Sequence, residues 1–375
     1  MASAAITLPR ATPWRLGSWS REAALRWAPR LAFAAPLALL SVVVSQRGFV
    51  STPNLTLQLH GELARQSGPA GLGWAYPPIP TFLASVLPGG ALTLALISSL
   101  LGGVAMASLW DRLARRRVSM PLTVALLASL ALVPAVLYGA TQDLAAFAGL
   151  AFLIVALDGF VRFIVDRDTR GGFLAGLMLA FAFGCDPVAL VYAAALAASA
   201  PLLAHARFRS EPDAATATAS VLVFPVAAAA SAWAFLEWRF TGSAFATVID
   251  QSTLFHFSDG VLRGFGLAVW DTASIALHTP VYLTVGALLF VRRPITVAGY
   301  AIPLAGLVAA QWIGLQYSEV TAFMLLAAIA IVAVPSRPGR RASRVLIGAC
   351  AAQVVMGVVA TSHTSQVQQF LDVLR

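Results

Sequence analysis

Hydrophobic and polar positions occur in long blocks along this chain. Apolar runs of about 15 to 23 residues are separated by short polar connections, and roughly 20 apolar residues of α-helix cross the hydrocarbon core of a bilayer. We expect spans near residues 31–45, 91–110, 119–138, 142–164, 171–185, 187–204, 218–239, 274–291, 296–314, 320–335 and 345–361. The pattern predicts an all-α, polytopic integral membrane protein with about eleven transmembrane helices, which form one transmembrane domain over residues 31–361.

The first polar interruption, residues 46–90, contains a second kind of helix. Thr52 is a suitable N-cap, Pro53 suits the first turn, and Gly68 marks the C-terminal end. The apolar stripe of this helix consists of Leu55, Leu59 and Leu63, and its polar face consists of Asn54, Gln58, Glu62 and Arg65. At roughly 15 residues the helix is too short to span a bilayer. The pattern therefore predicts a helix that lies on the membrane surface with its leucines in the lipid.

An aromatic and proline-rich segment follows the surface helix. It reads Tyr76-Pro77-Pro78-Ile79-Pro80 and leads into a short apolar piece over residues 80–90. Prolines favour an extended backbone before them, and the apolar piece is too short to cross a bilayer. We predict a half-helix here that completes a first outer loop over residues 46–90.

The composition excludes a soluble domain of this size. Hydrophobic residues make up 59% of the 375 residues, charged residues make up 11%, and the mean hydropathy is +0.81, whereas soluble domains contain about 25% charged residues. Cys185 and Cys350 are too few and too far apart in sequence to indicate a disulfide framework or a metal site. The chain also lacks the Walker, GxGxxG, HExxH and CxxC patterns, so nucleotide-driven transport has no support.

The arginines predict the topology. The formal net charge is +9, and every basic residue other than histidine is arginine. If the N-terminus is cytoplasmic, twenty arginines fall on the inner side and five on the outer side, which is the pattern of the positive-inside rule. We therefore expect a multi-pass protein of the cytoplasmic (inner) cell membrane. Residues 1–30 form a basic cytoplasmic segment, residues 362–375 form an outer C-terminal tail, and the basic charge does not indicate nucleic-acid binding.

Polar candidates for a site gather on the predicted outer side. Asp143 stands at the outer start of a span, where a carboxylate can cap the helix or take part in chemistry. A long outer loop over residues 240–273 contains His256, Asp259 and Arg263, and Arg239 precedes it. A guanidinium group matches the oxygens of a lipid phosphate. The histidine and aspartate are too few to define a metal site, so we assign no metal ligand.

Several of these features together resemble the bacterial GT-C glycosyltransferases. They are the Tyr76–Pro80 motif, the surface helix with Glu62-Leu63-Ala64-Arg65, the arginine-rich inner turn after the second span and the glycine-rich span near residues 172–188. The similarity covers roughly residues 30–205. It implies a GT-C-like membrane fold and inverting transfer of a sugar from a polyprenyl-phosphate lipid to a glycan or lipid acceptor of the cell envelope. Its cofactor requirement stays open, with a divalent metal as one alternative.

The chain departs from this family at the catalytic base. Active members carry an aspartate at the start of the first outer loop, whereas this chain has Asn54 there and no carboxylate within residues 46–61. An amide cannot accept a proton near neutral pH, so another group would have to be the general base. The candidates for that role are Glu62 and Asp143. The candidates for binding donor or acceptor are Asn54, Arg65, Tyr76, Arg239, His256, Asp259 and Arg263.

Two other functions remain open at this point. The chain can be a degenerate GT-C-like protein that binds a lipid carrier or scaffolds a partner glycosyltransferase in the membrane. It can also be a secondary transporter, although that function calls for polar or broken helices in two matching halves. The sequence contains no such internal repeat.

Overall fold

The structure, a computed structural model, describes residues 21–68, 77–208, 212–244, 261–292, 294–315, 319–361 and 365–375. These ranges contain no strand. Their sixteen helices are α1 (Arg21–Gln46), α2 (Thr52–Ser67), α3 (Pro78–Val86), α4 (Gly90–Arg115), α5 (Met120–Ala131), α6 (Pro134–Gln142), α7 (Leu144–Asp166), α8 (Thr169–Phe183), α9 (Ala189–Phe208), α10 (Pro212–Thr241), α11 (Val261–Leu277), α12 (Pro280–Arg292), α13 (Pro294–Trp312), α14 (Glu319–Ala333), α15 (Arg340–Thr361) and α16 (Ser365–Leu374).

Helices α7 and α14 form the centre of the bundle. Most of α7 is buried, and α14 is apolar and buried from Ala322 to Val332. Helices α1, α10 and α15, in contrast, expose large apolar side chains such as Leu39, Phe224 and Val355. Continuous exposed apolar surface on several helices is unfavourable in water and favourable in lipid. The prediction of an all-α fold is therefore confirmed for the described residues, and several of their helices have the exposed apolar surface expected of a membrane protein.

Fewer helices than predicted are long and apolar enough to cross a bilayer. In the described ranges five qualify, namely α1, α4, α7, α10 and α15, and up to seven do if each of two bent pairs is one span. The predicted span 119–138 is the pair α5 and α6, bent by 70°, and the predicted span 274–291 is part of the pair α11 and α12, bent by 89°. Both second helices begin at a proline, which cannot donate the backbone hydrogen bond that would continue the first. Helix α8 and the apolar parts of α9 and α14 are shorter than a full span.

Two groups of connections between helices define opposite ends of the bundle. The end that contains Asp143 and Asp186, in the connections before α7 and α9, is called the acidic end. The end that contains the arginine-rich connection after α4 and the connection after α14 is called the basic end. Helix α7 joins the two ends and, at 23 residues, is about 35 Å long.

Ion pairs hold the helices together at the basic end. The Arg115 Nη2 atom lies 2.6 Å from the Asp158 carboxylate, which joins α4 to α7. Arg162 lies four residues after Asp158 on α7 but pairs with Asp168, at 3.4 Å, in the turn before α8. Arg112 is 1% exposed and approaches Asp166 at 3.9 Å. The short connections at this end are therefore anchored to the helices by charge.

Two segments predicted as irregular contain helices. Within the predicted loop 240–273, α11 begins at Val261, whereas residues 245–260 lie outside the described ranges. The predicted tail 362–375 forms α16, whose Phe370 is fully buried against Phe49 and Tyr138, with ring centroids 6.1 and 5.8 Å away. An aromatic side chain packed between α6 and the connection after α1 stabilises this segment, which hydrophobic periodicity over ten residues does not reveal. The predicted half-helix is present as α3.

Candidate functional site

The start of α2 is tied to the junction between α6 and α7. The N-cap of α2 is Ser51, not the predicted Thr52, and the Ser51 hydroxyl accepts a hydrogen bond from the Asn54 backbone N–H at 3.3 Å. The same hydroxyl donates to the Gln142 carbonyl oxygen. The Asn54 Oδ1 atom accepts a hydrogen bond from the Leu144 N–H at 3.1 Å. The first turns of a helix leave their N–H groups unpaired, so α2 supplies a partner that α7 lacks.

Asn54 consequently does not share the exposure of the other residues on its predicted face. It is 1% exposed, and the buried side of α2 consists of Asn54, Leu57, Gly61 and Ala64. Glu62 and Arg65 lie on the exposed side. The predicted polar face is therefore divided between the protein interior and the surface, because Asn54 bonds the Leu144 N–H of α7, whereas Glu62 and Arg65 pair with each other on the exposed side.

Asp143 and Asp186 both close turns at the acidic end. The Asp143 carboxylate accepts a hydrogen bond from the Ala146 N–H at 3.2 Å and caps α7. The Asp186 carboxylate accepts one from the Val188 N–H at 2.9 Å, just before α9. A carboxylate at a helix N-terminus is favourable for the helix by itself. The capping contacts by themselves are therefore compatible with a purely structural role. Whether the two carboxylates can also bind a ligand or exchange a proton depends on their surroundings.

A cavity of about 440 Å³ opens between α2 and the turns that hold these two carboxylates. Its walls include Asp143, Asp186, His60 and Gln366, together with residues from the first turns of α2. A second cavity of about 160 Å³ lies alongside and shares Asp143 and Gln366 with the first. Its remaining walls include Tyr138, whose hydroxyl donates to the Gln366 side chain at 2.5 Å. Cavities of a few hundred Å³ with few polar groups are typical of ligand sites.

Burial makes both aspartates unusually weak acids. It raises the pKa of Asp143 to about 6, although the Ala146 N–H opposes the shift. Burial likewise raises the pKa of Asp186 to about 7, against the Val188 N–H, and the nearby charge of Asp143 adds to the increase. Water stabilises a carboxylate better than these apolar walls do. Both groups can therefore gain or lose a proton near neutral pH, which an ordinary exposed aspartate does not do.

The other predicted site residues lie elsewhere. Glu62 and Arg65 form an ion pair at 3.4 Å with both side chains about half exposed, and Arg65 also donates to the Ser85 carbonyl oxygen at 3.1 Å. Arg239, in the last turn of α10, and Arg263, in the first turn of α11, are exposed and line neither cavity of the acidic end. Tyr76, His256 and Asp259 lie outside the described ranges.

The sequence analysis did not select three of the groups that line the larger cavity. His60 occupies the middle of α2, Asp186 stands in a turn before a proline, and Gln366 comes from the C-terminal segment. The position of Asp186 between two predicted spans was the available signal, since it places the carboxylate on the same side as Asp143. No periodicity indicates that Gln366 returns to the first outer loop from more than 300 residues away.

The described residues do not provide a ready-made metal site. They contain no group of three or more histidine, cysteine, aspartate or glutamate residues placed to hold a metal ion. Asp143, Asp186 and His60 share a cavity, but as wall residues and not as a ligand cluster. Among the described residues, the cavity therefore offers two carboxylates and an imidazole as its ionisable groups.

The acidic end thus combines two proton-binding carboxylates, an imidazole and an amide around one cavity beneath a surface helix. No known family model matches the chain, and neither a curated protein nor a solved structure is similar enough to count as a match.

Proposed function

We propose that this protein is an inverting, GT-C-like glycosyltransferase that uses Asp143 as its general base. In this proposal a sugar passes from a polyprenyl-phosphate lipid to a hydroxyl group of a cell-envelope acceptor. The observation that carries the proposal is the position of Asp143, which forms part of both cavities at the acidic end and has a pKa of about 6. The donor class comes from the resemblance over residues 30–205.

The proposed reaction needs a base with a pKa near the working pH. Asp143 meets this requirement, because at neutral pH it is mostly ionised and yet a stronger base than an exposed aspartate. It accepts the proton of the acceptor hydroxyl while that oxygen attacks the anomeric carbon of the sugar. The bond between the anomeric carbon and the phosphate oxygen breaks, and its electron pair leaves with the polyprenyl phosphate. Burial raises the pKa of Asp186 to about 7, so near neutral pH it can carry a proton and donate a hydrogen bond to a sugar hydroxyl.

The membrane arrangement that we propose has the acidic end outside and the basic end in the cytoplasm. The chain then crosses eleven times, with bent or short helices at several crossings, and its C-terminus is extracytoplasmic. The distribution of arginines supports this orientation. On α2 the leucines of the predicted stripe are 47–58% exposed, as expected for a face in contact with lipid. A lipid-linked donor would therefore meet the acidic-end cavity from the membrane surface.

The first prediction tests the base. Asp143→Asn should lower the rate of sugar transfer by roughly 10²–10⁴-fold, because general-base catalysis contributes about that much. The matched control is Glu62→Gln, which removes an exposed carboxylate outside the cavity and should change the rate little. Transfer is measured with purified protein in nanodiscs, as release of polyprenyl phosphate from a panel of polyprenyl-phosphate hexoses and pentoses. Thermal unfolding of each variant shows that it is folded.

Two results would contradict this assignment. If Glu62→Gln abolishes transfer while Asp143→Asn retains it, the base is on the exposed side of α2. If the wild type releases no polyprenyl phosphate from any donor in the panel, in the presence of membrane-derived acceptors, the protein is not an active transferase of this class.

A second candidate function is a non-catalytic protein that binds a lipid carrier or scaffolds a partner enzyme. One observation favours it: the Oδ1 atom of Asn54, near the place of the family's aspartate, accepts a hydrogen bond from the Leu144 N–H. Its Nδ2 atom is buried and has no hydrogen-bond partner among the described residues. Asn54→Asp therefore loses no hydrogen bond and keeps the acceptor for Leu144. If the wild type is inactive and Asn54→Asp transfers sugar, the chain is a decayed transferase.

A further inference from the structure

A further cavity, separate from the acidic end, lies at the basic end of the bundle. It has a volume of about 430 Å³ and is enclosed by α7, α9, α12, α13 and α14 together with the connections after α4 and α14. None of the residues considered for sugar transfer lines it. We propose that it is a binding site for one anionic phospholipid, with the headgroup phosphate at Arg116 and Arg292 and part of an acyl chain inside the cavity.

The interior of this cavity is suited to a hydrocarbon chain. Its walls are mainly aliphatic and aromatic, with Phe160, Leu203 and Ile329 among them. The polar side chains that line its depth are bonded to the protein itself. The Ser199 hydroxyl donates to the Leu196 carbonyl oxygen at 2.8 Å, and the Tyr300 hydroxyl donates to the Tyr282 carbonyl oxygen at 2.8 Å. A ligand inside the cavity therefore meets apolar surface, and a polar ligand would lose its hydrogen bonds with water.

The mouth of the cavity, unlike its apolar interior, is polar and positively charged. Arg116 follows the end of α4, Arg292 ends α12, and Ser336 is exposed in the connection after α14. Arg116 and Arg292 are the only charged side chains among the described residues that line the cavity. Guanidinium groups bind phosphate oxygens in a two-pronged geometry. The mouth therefore selects a negative group, and a carboxylate is absent from this part of the described wall.

The wall beneath the mouth is built to keep its shape. Tyr282 and Tyr300 stack with their ring centroids 4.5 Å apart, and each hydroxyl donates to the backbone carbonyl of the other residue. Gly299, next to Tyr300, lets α13 approach α9 so closely that a Cβ atom there would lie 2.5 Å from the Leu203 side chain. A cavity framed by such contacts does not collapse easily when empty. It is therefore pre-formed for a ligand.

The combination of an apolar interior and two arginines at the mouth points to an amphiphile with a negative headgroup. A soluble anion such as inorganic phosphate would use the arginines but leave the apolar interior empty. A zwitterionic phospholipid would fill the interior but gain less at the mouth. Basic pockets between helices on the cytoplasmic side are known to favour anionic headgroups, by a factor of about five for each arginine near the surface.

Native mass spectrometry of the detergent-purified full chain tests the proposal. With equal amounts of phosphatidylglycerol and phosphatidylcholine, we expect an adduct of one lipid that is predominantly phosphatidylglycerol. Arg292→Gln should lower this preference roughly fivefold, and Arg116→Gln with Arg292→Gln should lower it roughly 25-fold. The matched control is Arg170→Gln, an exposed arginine at the same end that does not line the cavity, and it should keep the wild-type preference.

A filling variant tests the interior independently of charge. Ala333→Phe places a ring in the cavity and should reduce binding of both lipids, with folding checked by thermal unfolding. The proposal is overturned if the double arginine variant keeps the wild-type preference, or if Arg170→Gln loses as much of it. It is also overturned if inorganic phosphate at millimolar concentration displaces the lipid completely, which would show an anion site without a lipid component. Should Ala333→Phe fail to fold, the arginine variants and the phosphate competition decide.

Discussion

At the scale of single residues, the acidic end shows how one side chain can serve two purposes. Asp143 caps α7 through the Ala146 N–H and also faces both cavities. Asp186 likewise closes the turn before α9 and faces the larger cavity. The cap holds each carboxylate in place, while burial makes its charged form costly. Asn54, by contrast, has its side-chain oxygen bonded to the Leu144 N–H and lines neither cavity.

The raised pKa values predict how stability depends on pH. The folded-state pKa values of about 6 and 7 lie above the ordinary value of about 3.9 for an unfolded aspartate. The folded protein therefore binds more protons, so the stability contribution is full below about pH 4 and is lost as the pH rises through 6 and 7. Between pH 5 and pH 8 the midpoint of thermal unfolding should fall, and Asp143→Asn with Asp186→Asn should flatten that fall.

The measurement is differential scanning fluorimetry in nanodiscs over this pH range. All chains carry His60→Gln, which removes the imidazole from the cavity so that only the carboxylates differ. Asp372→Asn, an exposed carboxylate in α16, is the matched control and should leave the slope unchanged. An increase in the midpoint with rising pH, or an unchanged slope in the double variant, would show that the two aspartates ionise normally.

At the scale of elements, α2 has two faces that contact different surroundings. Its buried face meets α3, and a Cβ atom at Gly61 would lie 2.7 Å from Ala84, so the two helices pack backbone to backbone. Its other face exposes Leu55, Leu59 and Leu63. The buried face holds α2 over the cavity. The exposed leucine face is suited to contact with lipid at the membrane surface.

Replacing these three leucines by serine should release α2 from the membrane. Fully burying a leucine contributes about 1.5–3 kcal/mol, so three would contribute roughly 5 kcal/mol or more. In nanodiscs the first outer loop should become sensitive to limited proteolysis, while the transmembrane helices stay protected. Gln58→Ser, at an exposed polar position of the same helix, is the control. Unchanged protection in the triple variant would show that packing on α3 alone holds α2.

At the scale of the whole molecule, the two ends differ in charge and in cavity chemistry. The acidic end has two carboxylates in the wall of a largely apolar cavity, and the basic end has two arginines in the wall of another. Three arginines at the basic end, Arg117, Arg167 and Arg337, even occupy left-handed backbone conformations, with φ of 53°, 55° and 48°. Glycine or asparagine is the usual residue there. The presence of arginine indicates that positive charge at this end outweighs a small conformational cost.

The proposed orientation can be tested with single cysteines. Cys185 and Cys350 are 2% and 3% exposed, so the wild type should react little with a membrane-impermeant maleimide. Gly339→Cys at the basic end should be labelled only in inverted vesicles, and Gln369→Cys in α16 only in intact spheroplasts, because these exposed positions lie at opposite ends. Labelling of both from one side would contradict the eleven crossings, and reversed labelling would place the acidic end in the cytoplasm.

The sequence by itself determined the class of protein, most helix positions and the separation of acidic from basic ends. These features depend on local quantities, namely the length of apolar runs, N-cap chemistry within a residue, and the count of arginines in each connection. The surface helix is an example, since its predicted N-cap, Thr52, is one residue from the observed N-cap, Ser51.

Only the tertiary structure decided which polar groups meet. Glu62 and Asn54 are eight residues apart on one helix, yet Glu62 is exposed and Asn54 is buried against α7. Asp143, Asp186, His60 and Gln366 come from four distant segments and share one cavity. The two bends, at the starts of α6 and α12, likewise depend on what the neighbouring helices leave room for. Periodicity describes which face a residue occupies, whereas long-range packing determines what that face contacts, and the candidate site consists of such contacts.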